Sequence, residues 1–544
     1  MKKTVWFALA AFASAAVAQQ SPPAAQPQAP VFKESVEVHV MDLDVAVTDS
    51  QGRPVSDLTR NDFTIRVGGR PVPIDYFARV DQGTIHAPDL SSASPDRVLD
   101  VYKSGGEAYV PRHFLIYVDS SDLSPGYRNR SLDFLKDFVT RLGPTDTARV
   151  VLFDRRPKDL TEWTSSKETL IDALETMEKS VGMSRLTNQM QTISQIDSTR
   201  SRSSRMFLAQ NYAEQESVEL DNMIKDMRAQ LSTMTPLPGK KAFLFVSGSL
   251  PQQPGFAMIY YAGGAGRGFA ATTPFDSRQI ALQIDNLAKA ANADEVTFYT
   301  VDGWGLTAEG ASAANMEPLA NRPGLGFFTR QNAQSGLLSL AQDTGGIALV
   351  NTNDLKKGLG QIYQDASTYY SVGVNLSSLP SAAYQNVEVT VDRPGLNVRY
   401  RRGYAVKSSD DRARDIARAA LKTNVSYQSF PVKLQVGASA KAKKQYDQPI
   451  TVVLPASALT FLPESGAPKA NAEIYVGVVD DDGRVSDIAK EEASFNEPPA
   501  GSPDAVLAYP ITLQMRKGNA RIVVNVRDKA TGKMGTARTD VHIE

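Results

Sequence analysis

From residue 111 onward, short apolar runs alternate with helical patterns. The runs are Phe114–Val118, Arg149–Phe153, Ala242–Val246 and Val296–Val301. Between them, Leu135, Phe138, Val139 and Leu142 follow the spacing of one helix face. So do Leu220, Met223, Ile224, Met227, Leu231 and Met234, and then Ile280, Ile284, Leu287, Ala288 and Ala291. Strands joined by helices pair in parallel through right-handed crossovers. The pattern therefore predicts an α/β fold over 111–368, a parallel sheet with helices on both faces. Two stretches interrupt it, 182–210 (rich in Ser, Thr, Arg and Gln) and 251–274 (rich in Gly, Ala and aromatics), and both are expected to form a rim over the sheet.

The flanks read as β. Val36, Val38, Val40, Val45 and Val47 alternate, Asp49–Gly52 signals a turn, and the pattern resumes over 63–67 and 71–77. Residues 32–80 thus form a small N-terminal β unit and 81–110 a polar linker. Residues 369–407 carry a strand, Tyr369–Val374, and a hairpin around Pro394-Gly395. We expect this segment to complete a sheet with 32–80, so that the α/β part is inserted in a β-sandwich. Residues 408–424 read as a charged helical spacer. Strand candidates near 432–436, 450–454, 474–479, 509–515, 522–526 and 537–543 predict a C-terminal immunoglobulin-like β-sandwich over 425–544. One echo links the two β regions. Asp49-Ser-Gln-Gly52-Arg53 matches Asp480-Asp-Asp-Gly483-Arg484, which we read as shared turn chemistry, with Asp closing the turn and Gly taking a positive φ.

Lys2 and Lys3, the apolar run Val5–Ala13 and Ala16-Val17-Ala18 predict a signal peptide over 1–18, followed by a Pro/Gln/Ala linker over 19–31. No later run of about 18 apolar residues follows, so a secreted or periplasmic chain without a transmembrane segment is expected. The chain has no Cys, which removes disulfides, thiolate ligands, a Cys nucleophile and a lipidated N-terminal Cys. Lys and Arg number 59 against 60 Asp and Glu, a balance with no global pull toward nucleic acid. His39, His86, His113 and His542 are scattered, and no H-E-x-x-H or G-x-S-x-G occurs, so no enzyme is expected. Gly264-Ala-Gly266-Arg-Gly268 lacks the helix start and the Lys-Ser/Thr pair of a phosphate loop.

The candidate site begins at Phe114–Ser124, FLIYVDSSDLS. Ligand sites of open α/β sheets lie past the carboxyl ends of the strands. Asp119, Ser121 and Asp122 there offer hard oxygens of the kind Mg2+ or Ca2+ takes. The alternative is that Asp119 and Ser121 cap the helix that follows. Asp302 ends the run Val296–Val301, and Trp304 beside it is either an exposed anchor for a partner or packed under a loop. Asn353 or Asp354 is a natural N-cap.

Several blocks, taken in order, carry a resemblance. They are VTDSQGRPVSDLTRNDFTIRVGGRPVPIDYF, FLIYVDSSDLS, KKAFLFVSGSL, LAKAANADEVTFYTVDGWGL, LAQDTGGIALVNTNDL and YYSVGV…VTVDRPGLNVRYRRGY. Together they span about 36–404 and resemble the von Willebrand factor type A fold, a Rossmann-like sheet, and the bacterial "VWFA-related" family of acidobacteria. The resemblance implies a metal-dependent adhesion site built from D-x-S-x-S in a first loop, a Thr from a second and an Asp from a third. Asp119 and Ser121 match the first two positions, whereas Leu123 stands at the third. Thr187 is the candidate Thr, and Ser247-Gly248 replaces the third-loop Asp. The implied metal ligands are Asp119, Ser121 and Thr187, in a degenerate site.

Together these readings predict a secreted, non-catalytic, adhesion-type protein that recognises a protein or cell-surface ligand. The expected ligand-binding rim comprises Asp119, Ser121, Asp122, Ser247, Asp302 and Trp304. A structural scaffold module of an envelope assembly is the alternative, and an enzyme acting on cell-surface material a more distant one.

Overall fold

A computed structural model describes residues 40–86, 102–104, 107–180, 182–263, 278–306, 319, 325–376, 384–405, 407–425, 427–443, 445–463, 467–498 and 505–543. The expected signal peptide, the linker after it and the Gly264–Gly268 stretch lie outside these residues. One compact unit covers His39–Lys407, and a second contains Ser408–Glu544.

A six-stranded sheet organises the first unit. Its spatial order is Arg156–Asp159, Thr147–Asp154, Arg112–Asp119, Lys240–Ser247, Val296–Asp302 and Ala348–Leu349. Every neighbouring pair is parallel except that of Arg156–Asp159, which runs antiparallel at one edge. Numbered along the chain, this is the order 3-2-1-4-5-6, which reverses direction between Arg112–Asp119 and Lys240–Ser247. Such a reversal opens a crevice at the carboxyl ends of the two central strands. Val118 pairs with Val246, and Ser247 pairs with Asp302, so Asp119, Ser247 and Asp302 end adjacent strands at one level. The three strands that carry them are buried at every position, as apolar runs covered on both faces require.

Helices Pro125–Thr140, Lys167–Glu178 and Leu355–Asp365 cover one face, packing Leu135, Phe138, Leu174 and Ile362 against Phe114, Ile116, Leu244 and Val246. The 182–210 stretch, expected as a rim over the sheet, is helical. It forms Ser184–Ser198 and the first turns of the 33-residue helix Arg202–Met234. Its apolar pattern is sparse because a narrow face, Ile193, Ile196, Ala209, Tyr212 and Ala213, meets helix Phe256–Gly263.

Tyr369–Asn375 lies between Val40–Thr48 and Tyr76–Asp81, antiparallel to both, with Met41 opposite Val374 and Phe77 opposite Val372. Gln385–Val391 pairs with Phe63–Val67. The α/β segment therefore leaves and re-enters one β framework, whose core joins Met41, Leu43, Val45 and Ile65 to Val372, Val374 and Val387. Within 81–110, read as a polar linker, the strands Thr84–His86, Tyr102–Ser104 and Glu107–Tyr109 extend the same seven-stranded sheet.

In the second unit, two four-stranded antiparallel sheets enclose one core that includes Ile450, Val452, Ile474, Leu513, Val524 and Ile543. Ser409–Lys422 is no spacer. Its apolar face buries Ala413, Ile416, Ala417 and Leu421 against Tyr475, Ile488 and Val523, while its charges face outward. The two echoed turns are superposable in their bonding. Asp49 Oδ1 accepts from the N–H groups of Gln51 (2.8 Å) and Arg53 (2.9 Å), and Asp480 Oδ1 from those of Asp482 (3.1 Å) and Arg484 (2.9 Å). Arg53 and Arg484 each return Nε to the second carboxylate oxygen at 2.8 Å.

Candidate functional site

The strand Arg112–Asp119 delivers Asp119 to the switch point fully buried, so each of its oxygens needs a partner. Oδ1 accepts from the Ser121 N–H (3.0 Å) and from Ser121 Oγ (2.5 Å), a tight turn closed by the side chain itself. Oδ2 accepts from Ser247 Oγ (2.8 Å), across the reversal, and from Arg185 Nη2 (3.0 Å). These four donors fill the lone pairs a carboxylate offers.

Arg185 comes from the start of helix Ser184–Ser198 and is 2% exposed. The segment that carries it is zipped to the Asp119 loop by backbone bonds, Met183 N–H to Ser120 O (2.8 Å) and Arg185 N–H to Ser121 O (2.9 Å). That approach needs Gly182. Its φ is +60°, and a Cβ there would stand 3.0 Å from Ser120 O. The guanidinium then bonds Asp119, Ser121 Oγ (2.9 Å) and Ser249 Oγ (3.2 Å). It also lies 3.8 Å from Asp122 and 3.8 Å from Glu219.

The centre holds more negative than positive groups. Asp119, Asp122, Glu216 and Glu219 all act on the one Arg185. Burial works against the charge of Arg185, but these four carboxylates hold its pKa above the ordinary arginine value. Burial pushes the Asp122 carboxyl up to about 7, even though Arg185 and the Ser249 hydroxyl oppose the shift. Glu216 and Glu219, one turn apart on helix Arg202–Met234, are raised for the same first reason. Glu216 accepts the Gly255 N–H (2.6 Å), which ties the loop after Lys240–Ser247 into the cluster.

The structure brings Asp119, Ser121, Asp122 and Ser247 into one network through Arg185 and Ser249. It leaves Thr187 out. Thr187 is exposed on the first turn of its helix, and Arg185, two residues earlier, takes the inward position. Nor do Asp119 and Ser121 cap the following helix, which starts at Pro125 after Ser124. Asp302 stands apart from the network. It accepts from Trp304 N–H (3.0 Å) and Gln334 Nε2 (2.7 Å), and burial pushes its carboxyl up to about 6. Trp304 is no exposed anchor. It is 3% exposed and packs with Leu123, Leu186, Tyr127 and Met183. Leu123, at the missing oxygen position, is part of that apolar plug. Gly248 makes room for it, because a Cβ there would stand 2.3 Å from Trp304 Nε1 and 2.6 Å from Asp122 O. Asp354 Oδ1 caps its helix by accepting from Lys357 N–H (3.0 Å), whereas Asn353 accepts from Leu306 N–H.

A hard cation such as Mg2+ or Ca2+ needs free oxygen ligands. The Asp119 oxygens are saturated, Ser121 Oγ is engaged by Arg185, and Thr187 faces away, so the residues in this arrangement do not fit such an ion. Among the described residues, no group of three or more His, Asp or Glu is placed to hold a metal. The residues missed from sequence are Arg185, Ser249, Glu216 and Glu219. No local motif marks them, since Arg185 lies 66 positions from Asp119 in a stretch of weak periodicity.

No protein-family model matches the chain. No curated protein matches it. Among solved structures, it is similar to proximal thread matrix protein 1 from the mussel byssus, at 12% identity over 48% of this chain and 47% of that one, with a TM-score of 0.24. A form of that protein described as having a zinc-occupied MIDAS motif gives 14% identity, 48% and 46% coverage, and a TM-score of 0.25. An aerotolerance-related membrane protein from Bacteroides fragilis gives 11% identity, 47% and 98% coverage, and a TM-score of 0.23. The chain thus spans about half the length of the mussel protein. At these scores the likenesses carry neither the fold nor the function, and the α/β architecture rests on the strand order and register described above.

Proposed function

We propose that the chain is an exported, non-catalytic binding protein of the von Willebrand factor type A kind, which recognises a protein or cell-surface ligand above the carboxyl edge of its parallel sheet. The observation that carries this reading is the 3-2-1-4-5-6 strand order with its reversal at Asp119 and Ser247. Contact through the predicted rim residues themselves is not part of the reading, because Asp119, Ser121, Ser247, Asp302 and Trp304 are all buried. The contact surface moves outward, to what stands above that edge. Helix Gly326–Asp343 is bonded to Asp302 through Gln334 and reaches Phe298 N–H, lower on the strand, through Thr344 just past its end. Its first turn therefore rises past the edge and carries Phe327 and Phe328, which are 65% and 50% exposed. Leu306, two residues after Trp304, is 59% exposed. Exposed aromatics of this size are the usual anchors of a recognition surface.

Export rests on the N-terminal pattern of Lys2, Lys3, Val5–Ala13 and Ala16-Val17-Ala18. No described helix is long and apolar enough to cross a membrane. The C-terminal unit is read as an immunoglobulin-like sandwich, supported by its two antiparallel sheets around one core.

The test compares capture of binding partners from envelope extract by the wild-type chain and by Phe327→Ser/Phe328→Ser. Loss of the captured species with an unchanged melting temperature supports the reading. Undiminished capture by the double variant contradicts it.

A further inference from the structure

We propose that Arg185 is the resident cation of the switch point. Its guanidinium stands where a divalent ion would have to bind, so the wild-type chain is indifferent to Mg2+ and Mn2+, and removing the guanidinium uncovers a divalent-cation site at Asp119, Ser121 and Ser247.

Three observations carry this. The first is saturation. Asp119 already accepts four hydrogen bonds, one of them from Arg185 Nη2, and Ser121 Oγ accepts from the same nitrogen. The side-chain oxygens of Asp119 and Ser121 are thus all engaged. The second is charge. Arg185 is the cation that four carboxylates, Asp119, Asp122, Glu216 and Glu219, act on, and it is 2% exposed. A buried carboxylate that stays charged needs a positive partner, and a protein-borne one cannot dissociate. The third is delivery. The backbone bonds from Met183 and Arg185 to Ser120 and Ser121, with the left-handed Gly182 and Met183 (φ +60° and +66°), hold the arginine segment against the loop. A guanidinium donates bonds in a fixed planar fork, so it also sets the relative positions of the two central strand ends, through Asp119 on one and Ser249, just after the other.

Arg185→Ala would remove the counter-charge those carboxylates share and leave a space the size of the lost side chain. Oxygen ligands, surplus negative charge and room are what a hard divalent ion takes. The inference is independent of whether the edge binds a partner, since its readouts involve only metal and stability.

The experiment uses the full mature chain, calorimetric titration with MnCl2 and MgCl2, and thermal unfolding with and without each salt. The wild type is expected to give no saturable heat and no shift in melting temperature. Arg185→Ala is expected to melt lower than wild type, to bind one Mn2+, and to recover much of the lost melting temperature when saturated. Arg185→Lys retains a positive charge and is expected to stay indifferent to Mn2+. Arg112→Ala, which removes a buried arginine at the other end of the same strand, controls for generic rescue and is expected not to respond. Saturable binding to the wild type that Asp119→Asn abolishes would overturn the proposal. So would an Arg185→Ala protein, folded or unfolded, on which Mn2+ has no effect.

Discussion

Strand Arg112–Asp119 has a buried ion pair at each end, and the two differ in their charge balance. At the amino end, Arg112 meets one carboxylate in a bidentate pair, Nε to Asp146 Oδ1 (2.8 Å) and Nη2 to Asp146 Oδ2 (2.6 Å). Gly143 N–H (2.7 Å) and the Tyr363 hydroxyl (2.8 Å) complete it. At the carboxyl end, Arg185 meets Asp119 through one nitrogen and shares its charge among three further carboxylates. The first arrangement sets one charge against one, and it serves as a clip between a strand and a loop. The second sets four carboxylates around one guanidinium at the place where α/β sheets put their ligand sites. A buried arginine is therefore not one kind of feature. The number of carboxylates it answers to separates a fastening from a substituted ion site.

The comparison can be broken most severely at the pairs themselves. Arg112→Met should cost about 3–5 kcal/mol by denaturant unfolding, because it strands a buried Asp146. Adding Asp146→Leu should recover on the order of 2 kcal/mol of that loss, the coupling of a one-to-one pair. Arg185→Met should cost as much, yet Asp119→Leu should recover far less, because Asp122, Glu216 and Glu219 remain. Equal recovery at both ends would erase the distinction.

Next in size is packing beside the carboxyl-end network. Gly248→Ala should cost about 1–3 kcal/mol, since the added methyl meets both the Trp304 ring and the Asp122 carbonyl. A neutral result in a melting experiment would mean that the Trp304 plug is loose.

The pH response separates the two ends more gently. Asp122 is pushed to about 7 and Asp302 to about 6, both first by burial. The folded state then holds protons that the unfolded chain has released. Their contribution to stability should be full below the unfolded carboxylate range and fall as pH rises from about 4 through 6 and 7. Asp122→Asn should flatten that decline in melting temperature. The buried His113, pushed down to about 4, gives the opposite slope over the same window, so an Asp122→Asn profile that parallels the wild type throughout is the result that would contradict the burial argument.

The smallest effects belong to the twin turns. Asp49→Ala and Asp480→Ala should lower the melting temperature of their own units slightly and by similar amounts, because the bonding is the same in both.

Much of the fold was legible because the central strands carry unbroken apolar runs, Phe114–Val118 and Ala242–Val246, as strands buried on both faces do. The echo of Asp49–Arg53 in Asp480–Arg484 was legible too, since a turn is closed by residues adjacent in sequence. The helices between 182 and 210 were obscured because they bury one narrow stripe and leave the rest polar. The centre was half legible. Asp119, Ser121 and Ser247 sit at strand ends, where sequence can place them, but what they bind is set by a side chain on a distant helix. Reading Ser247 and Leu123 as lost oxygen ligands led to the expectation of a degenerate ion site. It did not reveal that Leu123 and Trp304 form an apolar plug, or that Ser247 now donates to Asp119.

At the carboxyl end of the strand a guanidinium, rather than a metal ion, neutralises Asp119. A crystal structure of the mature chain grown with excess MnCl2, with an anomalous difference map, tests it most directly. The account predicts Arg185 Nη2 within hydrogen-bonding distance of Asp119 Oδ2 and Ser121 Oγ, with no anomalous peak in the loop. A manganese peak within about 2.0–2.6 Å of an Asp119 oxygen, with Arg185 displaced, would contradict it.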